Sequence, residues 1–321
     1  MNQCGKDKLH RIETKMSGSV HVDQYLEVFL KVVEKENFTK AAEELHMTQP
    51  AVSQHIRTLE RLVGTRLLER NNKHVRMNKA GEIVYRHAKE ILALYTRMRY
   101  LVDDLAGNAS GPIAIGASYT FGEYILPHII AKLKKEHPLI KPSIIIHNTK
   151  EIIDLVNSYQ LDIGIVEGLF NDHQLHSEIV SEDHMVIVAP PSHPLLQKDG
   201  EWHLSDLTDE TWILREEGSG TRQAADHFFE MHKFTPKTIM EFGSTQVIKE
   251  SVEAGLGISL LSEWAIAKEL TNGYIGMINV EGVPFKREFT IITRSIYFTK
   301  ALNTFIETLK EYLKPQSLSG S

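Results

Sequence analysis

Apolar positions along the first hundred residues recur at helical spacing, broken at a few places by turn-forming residues. From Val22 to Lys35, Tyr25, Val28, Phe29, Val32 and Val33 form one stripe and predict a helix. Asn37 breaks it, and Thr39 can cap the next. From Thr39 to Gly64 the chain reads TKAAEELHMTQPAVSQHIRTLERLVG. Ala41, Ala42 and Leu45 place small and apolar groups on one face of a short helix. His46 and Met47 sit at a turn. Thr48 offers a hydroxyl to an orphan backbone N–H, and Pro50 falls in the first turn of the following helix, where a missing N–H costs little. Val52, Ile56, Leu59 and Leu62 then repeat inward, while Gln49, Ser53, Gln54 and Arg57 are expected to point outward. After Gly64, two short extended runs flank Asn71-Asn72-Lys73, a hairpin signal. Helices followed by a hairpin predict a winged helix-turn-helix. The plainer alternative is a helical hairpin with a solvated polar face.

Asn78 can cap a long helix starting near Lys79. Along it Val84, Ala88, Ile91, Tyr95, Met98, Val102 and Leu105 follow at alternating steps of four and three, the a/d seam of a coiled coil. That predicts a dimerisation helix; the alternative is an amphipathic helix lying on its own domain. Residues 107–112 (GNASGP) have linker composition. Beyond them short strand-like runs alternate with helical ones. Strands are expected at 113–117, 143–147, 163–166, 185–189, 212–214, 239–242, 258–261 and 289–293. Helices are expected at 121–136, 152–159, 221–231, 246–254 and 299–313. Such alternation predicts parallel sheets with ligands outside the strand C-termini. About 200 residues suffice for two lobes, with crossings expected near Asp183 and Glu281.

Charge sharpens this picture. The 321 residues carry a net charge of −6, with 42% hydrophobic and 24% charged residues, as in globular proteins. From His55 to Lys79 there are seven Lys/Arg against two acids, whereas from Gly107 onward 18 basic residues face 28 acidic ones. The basic patch is therefore local and adjoins the second helix of the helix-turn-helix, as nucleic-acid binding requires. Gln49, Ser53 and Gln54 can pair with base edges. Arg57, and Lys73, His74 and Arg76 on the wing, can reach phosphate.

The single cysteine, Cys4, allows neither an internal disulfide nor a cysteine metal site. No apolar run approaches 18 residues and no signal-like segment opens the chain, so a cytoplasmic protein without membrane contact is expected. G-x-S-x-G, H-E-x-x-H and P-loop motifs are absent, which argues against an enzyme. His173 and His176 are three apart, but their setting reads as a loop. Neither a metal nor a cofactor is expected.

Ala41-Ala42, Leu45, Thr48-Gln49-Pro50-Ala51-Val52-Ser53, Ile56, Leu59-Glu60, Gly64, Leu67 and Arg70 stand in an order and spacing that resembles the LysR-type transcriptional regulators. Leu68 and Asn78 depart from the family's usual Phe and Thr, both mildly. Farther along, the segments 116–127, 162–168, 214–222 and 243–262 are similar to the branch that includes regulators of sulfur assimilation and of carbon fixation. The resemblance implies an α/β protein with an N-terminal winged helix-turn-helix, a long linker helix and a C-terminal two-lobed effector domain of the periplasmic-binding-protein type. The expected divisions are a leader (1–15), the DNA-binding domain (16–78), the linker helix (79–106), the effector domain (107–314) and a tail (315–321). Lobe I would comprise 112–183 and 281–314, and lobe II 184–280. The resemblance also implies a dimer, or dimer of dimers, on an interrupted inverted repeat of double-stranded DNA, with RNA polymerase a further expected partner. A solute-binding protein or enzyme with a fused helical domain is the alternative.

Effector candidates lie where strands end and helices begin. Ser118, Tyr119 and Thr120 follow the first strand of the effector domain; Asn148 and Glu167 end the next two. Gly218, Ser219, Thr221 and Arg222 lead into one helix, and Ser244 and Thr245 into another. Hydroxyl-rich helix starts favour a small anion, such as sulfite, sulfate or a carboxylated or phosphorylated metabolite. Ordinary N-capping explains each pair separately. Glu167 opposes an anion pocket unless Arg215 or Arg222 pairs with it.

Overall fold

A computed structural model describes residues 22–71, 74–104, 109–168, 172–197, 200, 202–295 and 298–314. The leader, Lys73, Leu105 and the tail lie outside them. The chain divides between Thr96 and Arg97 into two compact units.

The first unit contains α1 (Val22–Lys35), α2 (Phe38–Glu44), α3 (Gln49–Val63), the antiparallel hairpin β1 (Leu68–Asn71) and β2 (His74–Met77), and the first turns of α4 (Lys79–Asp103). Its core gathers Val28, Phe29 and Val32 from α1 with Ala41, Ala42, Val52, Ile56, Leu59, Leu67 and Ala88. Asn37, rather than Thr39, caps α2: its side chain accepts from Thr39 N–H at 2.8 Å and Lys40 N–H at 3.0 Å. The residue that breaks α1 thus starts its neighbour. Thr48 caps α3, and Gly64, at φ 84°, ends it. The Glu60 carboxylate accepts from Leu67 N–H at 3.0 Å and Leu68 N–H at 3.4 Å, tying the last turn of α3 to the wing. Asn78 caps α4 through Gly81 N–H at 2.8 Å. A Cβ on Gly81 would stand 2.2 Å from the Leu67 carbonyl oxygen, so α4 approaches the wing only because this residue is glycine.

Two inward assignments change. Leu62 is 51% exposed, past the end of the packed face, whereas Ser53 is only 7% exposed. The inner face of α3 is therefore Val52, Ser53, Ile56 and Leu59. The heptad seam divides as well. Val84 and Ala88 pack on the core of the winged helix, so this part lies on its own domain. Ile91, Tyr95, Met98 and Val102 remain 46–60% exposed.

The second unit is built on a seven-stranded sheet ordered β10-β6-β11-β5-β3-β4, with β9 also on β6. These strands are β3 (Gly111–Ala117), β4 (Ile140–Ile146), β5 (Ile163–Glu167), β6 (His176–Ala189), β9 (Ser259–Ser262), β10 (Gly276–Ile278) and β11 (Phe285–Thr293). A separate parallel pair joins β7 (Thr211–Arg215) to β8 (Thr238–Phe242). Only β3, β4 and β5 are parallel within the large sheet. The expectation of wholly parallel sheets fails because β6 and β11 are long strands running antiparallel to each other. The polar first half of β6, His176–Asp183, carries no apolar alternation and concealed its length.

These two strands thread both lobes. On lobe I, Ile115, Phe121, Ile163, Phe289 and Phe305 share one core; on lobe II, Met185, Ile187, Trp212, Phe228 and Ile258 share another. The β6–β11 register slips between Phe289 and Thr290, where Val180 is the extra residue. Val283 and Phe285 still pack on lobe II, so the return crossing lies at Arg287–Phe289 rather than near Glu281. Helices α5 (Tyr119–Tyr124), α6 (Leu126–Glu136), α7 (Thr149–Asn157), α8 (Gly220–Met231), α9 (Thr245–Glu253), α10 (Glu263–Asn272) and α11 (Lys300–Leu313) cover the sheets. The helix expected over 121–136 starts two residues earlier and breaks at Ile125, since Pro127 has no N–H to continue it.

Candidate functional site

On the first unit, Thr48, Gln49, Pro50, Gln54 and Arg57 are exposed along α3, and Arg76 is exposed on β2. Thr48 is engaged as the cap, accepting from Ala51 N–H at 3.4 Å. Ser53 departs from its expected base-reading place: it faces inward, and its hydroxyl accepts from the Gln49 side-chain amide at 3.0 Å. Arg57 Nε donates to the Ser53 carbonyl at 3.3 Å, which holds the guanidinium along the helix. His74 belongs to β2, and Lys73 lies outside the described residues. The surface offers amide groups along α3, and Arg76 is an exposed cation on the hairpin.

In the second unit, the effector candidates gather where the lobes meet, but many of their hydroxyls already have partners. Ser118 (0% exposed) N-caps α5 without a side-chain capping bond; its hydroxyl donates to Glu167. Thr120 and Thr221 both accept from Arg287, at 3.0 and 3.1 Å. Thr245 accepts from Arg215 Nη1 at 3.0 Å. These threonines are therefore acceptors for buried guanidiniums rather than ordinary caps. Tyr119 lies over the Arg215 guanidinium, 4.3 Å from the ring centroid. Asn148 caps α7 through Glu151 N–H at 3.0 Å and donates to Glu216 across the cleft at 3.4 Å. Lys150 N–H donates to the Gly218 carbonyl at 3.2 Å, a second bond between lobes. Gly220 packs so closely on the end of β5 that a Cβ would fall 2.1 Å from the Glu167 carbonyl oxygen.

Glu167 is 2% exposed, and its nearest cation is neither of the two expected. Arg287 Nη1 stands 3.8 Å away and Arg287 Nε donates to Asp183 at 2.6 Å. Burial pushes the Glu167 carboxyl up; Arg287 pulls it down, and Asp183 adds to the rise. Arg222 is turned elsewhere: it pairs with Asp226 at 3.0 Å and Glu241 at 2.9 Å. A ladder of acids on α8 and β8 has claimed it, so it does not supply free positive charge to the cleft.

Sequence reasoning passed over Asp183, Glu216 and Arg287. The signal for Arg287 was available: Phe285, Arg287 and Phe289 alternate on one strand face, and a charge on an inward face must find a buried partner. Two serines do retain unused capacity. Ser219 and Ser244 N-cap α8 and α9 without a side-chain capping bond, and Ser219 is 2% exposed. Arg215 is bonded to the first turn of each helix: Nη1 donates to Thr245 on α9 at 3.0 Å, and its carbonyl accepts from Arg222 Nη1 on α8 at 3.0 Å. Among the described residues, His173 lies in a turn and His176 opens β6. No helix among them is long and apolar enough to cross a membrane.

Comparison with known proteins places this arrangement. Residues 24–82 match the family model described as bacterial regulatory helix-turn-helix protein, lysR family, and residues 106–314 match the LysR substrate binding domain. The HTH-type transcriptional regulator CysL of Bacillus subtilis is 38% identical over 294 residues, covering 91% of this chain and 98% of that protein. The RuBisCO operon transcriptional regulator of Allochromatium vinosum is 32% identical over 276 residues, 86% of this chain and 91% of its own. Among solved structures, the CcmR regulatory domain of Synechocystis PCC6803 in complex with 2-PG superposes with a TM-score of 0.60 at 25% identity. It covers 64% of this chain and 99% of that domain.

Proposed function

The chain belongs to the LysR family of bacterial transcriptional regulators, and from that premise we propose that it reads DNA with α3 and the wing and senses a small oxyanion between its lobes. Family members are regulators, not enzymes; they bind DNA and assemble as oligomers. In this reading Gln49 and Gln54 face bases, with Ser53 orienting Gln49 instead of touching DNA. Arg57, Lys73, His74 and Arg76 approach phosphate. Residues 16–78, 79–106 and 107–314 are the DNA-binding, linker and effector segments. Ile91, Tyr95, Met98, Val102 and Leu105 supply the self-association seam. Such a regulator works beside the chromosome, in the cytoplasm.

The observation that carries the effector reading is Ser219: a residue 2% exposed whose hydroxyl makes no capping bond, at the start of a 12-residue helix and four residues after the buried Arg215. Both the helix terminus and the guanidinium favour negative charge. Likeness to CysL supports a sulfur oxyanion and control of cysteine metabolism. A second reading, control of carbon fixation, is favoured by the RuBisCO operon relative.

A thermal-shift screen of the full chain tests the effector reading, with sulfite, sulfate, thiosulfate, O-acetylserine and sugar phosphates. An anion at 100 times its dissociation constant stabilises by about 2.7 kcal/mol, and Ser219→Ala should reduce the shift. No shift with any anion overturns it. On DNA, Gln54→Ala should weaken specific binding by about 1–3 kcal/mol and relax one base position. An equal loss on random DNA would remove Gln54 from base reading.

A further inference from the structure

We propose that Glu216 is a tethered occupant of the anion site: its carboxylate holds the edge of Arg215 that an incoming oxyanion takes, and the effector must displace it. The inference rests on the anion reading given above.

Arg215 ends β7 with its side chain 1% exposed. Its donors divide by direction. Nη1 is held by Thr245 at 3.0 Å, and one face of the guanidinium is covered by Tyr119. The edge formed by Nε and Nη2 is taken in parallel by Glu216 Oε2 and Oε1, each at 2.8 Å. Two parallel N–H···O bonds are the geometry in which arginine recognises a free carboxylate or another planar pair of anionic oxygens. The site is thus already shaped around an anion, and the anion it holds is part of the chain.

Consecutive residues on a strand point to opposite faces, so this pair forms only because the chain turns as β7 ends. Gly218, at φ 88°, and the Ser219 N–H bond to the Glu216 carbonyl at 3.2 Å make that turn. Glu216 also differs from its partner in access. Its side chain is 24% exposed, so a route to solvent exists for it that Arg215 lacks. Burial alone would raise its carboxyl, but the hydrogen bonds and charge of Arg215 hold it below the usual carboxylate range. It is therefore charged when no effector is bound, and it spares Arg215 from standing unpaired in the interior.

The other buried guanidinium cannot play this part. Arg287 spends Nε on Asp183, Nη1 on Thr221 and Nη2 on Thr120. Arg215 is the cation whose partner can leave. When Glu216 leaves, Asn148 loses its 3.4 Å bond across the cleft. Anion binding is thereby coupled to one of the contacts between lobes, because the same carboxylate makes both. The ligand class is a small oxyanion with two oxygens on one edge: a sulfur oxyanion, a carboxylate or a phosphate monoester.

Isothermal titration calorimetry of the full-length protein with sulfite, sulfate, acetate and glycerol phosphate distinguishes these sources and tests the competitor. Glu216→Gln keeps the size of the side chain and its acceptor for Asn148 but removes the charge. The affinity for whichever anion binds the natural protein should rise at least tenfold. Glu216→Asp, too short for the bidentate contact, should raise it as well, which guards against a folding defect in either variant alone. Affinities within twofold of the natural protein in both variants overturn the tethered occupant and leave the anion cleft standing. No anion binding to the natural protein or to either variant overturns both.

Discussion

Glu167 carries a cost that its neighbours only partly offset. It lies 2% exposed at the end of β5, with Arg287 at 3.8 Å and the like charge of Asp183 acting on it. Its carboxyl is raised above the ordinary range, chiefly by burial. A raised acid keeps its proton in the folded state after the unfolded chain has released it. Folded protein then binds more protons than unfolded, so stability falls as pH climbs through and above the ordinary carboxylate range. Glu167→Gln removes that cost. The variant should melt above the natural protein at neutral pH, and the margin should shrink as pH falls below the carboxylate range. A margin that is absent at neutral pH, or that does not change with pH, would show that Arg287 fully compensates the charge.

Helix α4 makes two different uses of one heptad pattern. Its first turns give Val84 and Ala88 to the winged-helix core, so that part of the seam is spent within the domain. From Ile91 to Val102 the same pattern leaves four large apolar side chains 46–60% exposed. Exposed a/d residues on a long helix are stable in water when they meet another such helix. Met98→Glu should therefore lower the molar mass in size-exclusion light scattering while leaving the far-ultraviolet helical signal nearly unchanged. An unaltered mass would take this stretch out of the oligomer contact.

The effector unit is held as a pair of lobes by the two strands that cross between them and by Arg287, which lies on one of them. Its guanidinium reaches Thr120 at the start of α5 on lobe I, Thr221 in the first turn of α8 on lobe II, and Asp183 on β6. Removing it leaves buried carboxylates uncompensated. Arg287→Met should cost about 3–5 kcal/mol, as breaking a buried pair does. The adjacent Lys286 pairs with Glu182 at 3.0 Å on the surface, with 65% of its side chain exposed, and Lys286→Met should change little. Urea titrations followed by tryptophan fluorescence report on this unit, because Trp202, Trp212 and Trp264 all belong to it. Equal effects of the two substitutions would show that Arg287 does not clamp the lobes.

Sequence alone determined what near neighbours decide. The stripe Val28, Phe29, Val32, the caps Thr48 and Asn78, the stop at Gly64 and the hairpin at the wing are set by interactions within a few residues, so they can be read from spacing. The helix-turn-helix, the linker helix and most strands of the effector domain were legible on that ground, and the motif residues from Ala41 to Arg70 carried the family. Tertiary structure decided which polar groups are spent on one another. Ser53 turned inward because the face of α3 follows the core it meets, and Arg222 went to Asp226 and Glu241. Arg287 met Asp183 although 104 residues separate them. That pairing depends on the register of β6 against β11, and register is fixed by how whole strands bury their faces. No local pattern encodes it, which is why Arg287 and its partner Asp183 were absent from the candidates drawn from strand ends and helix starts.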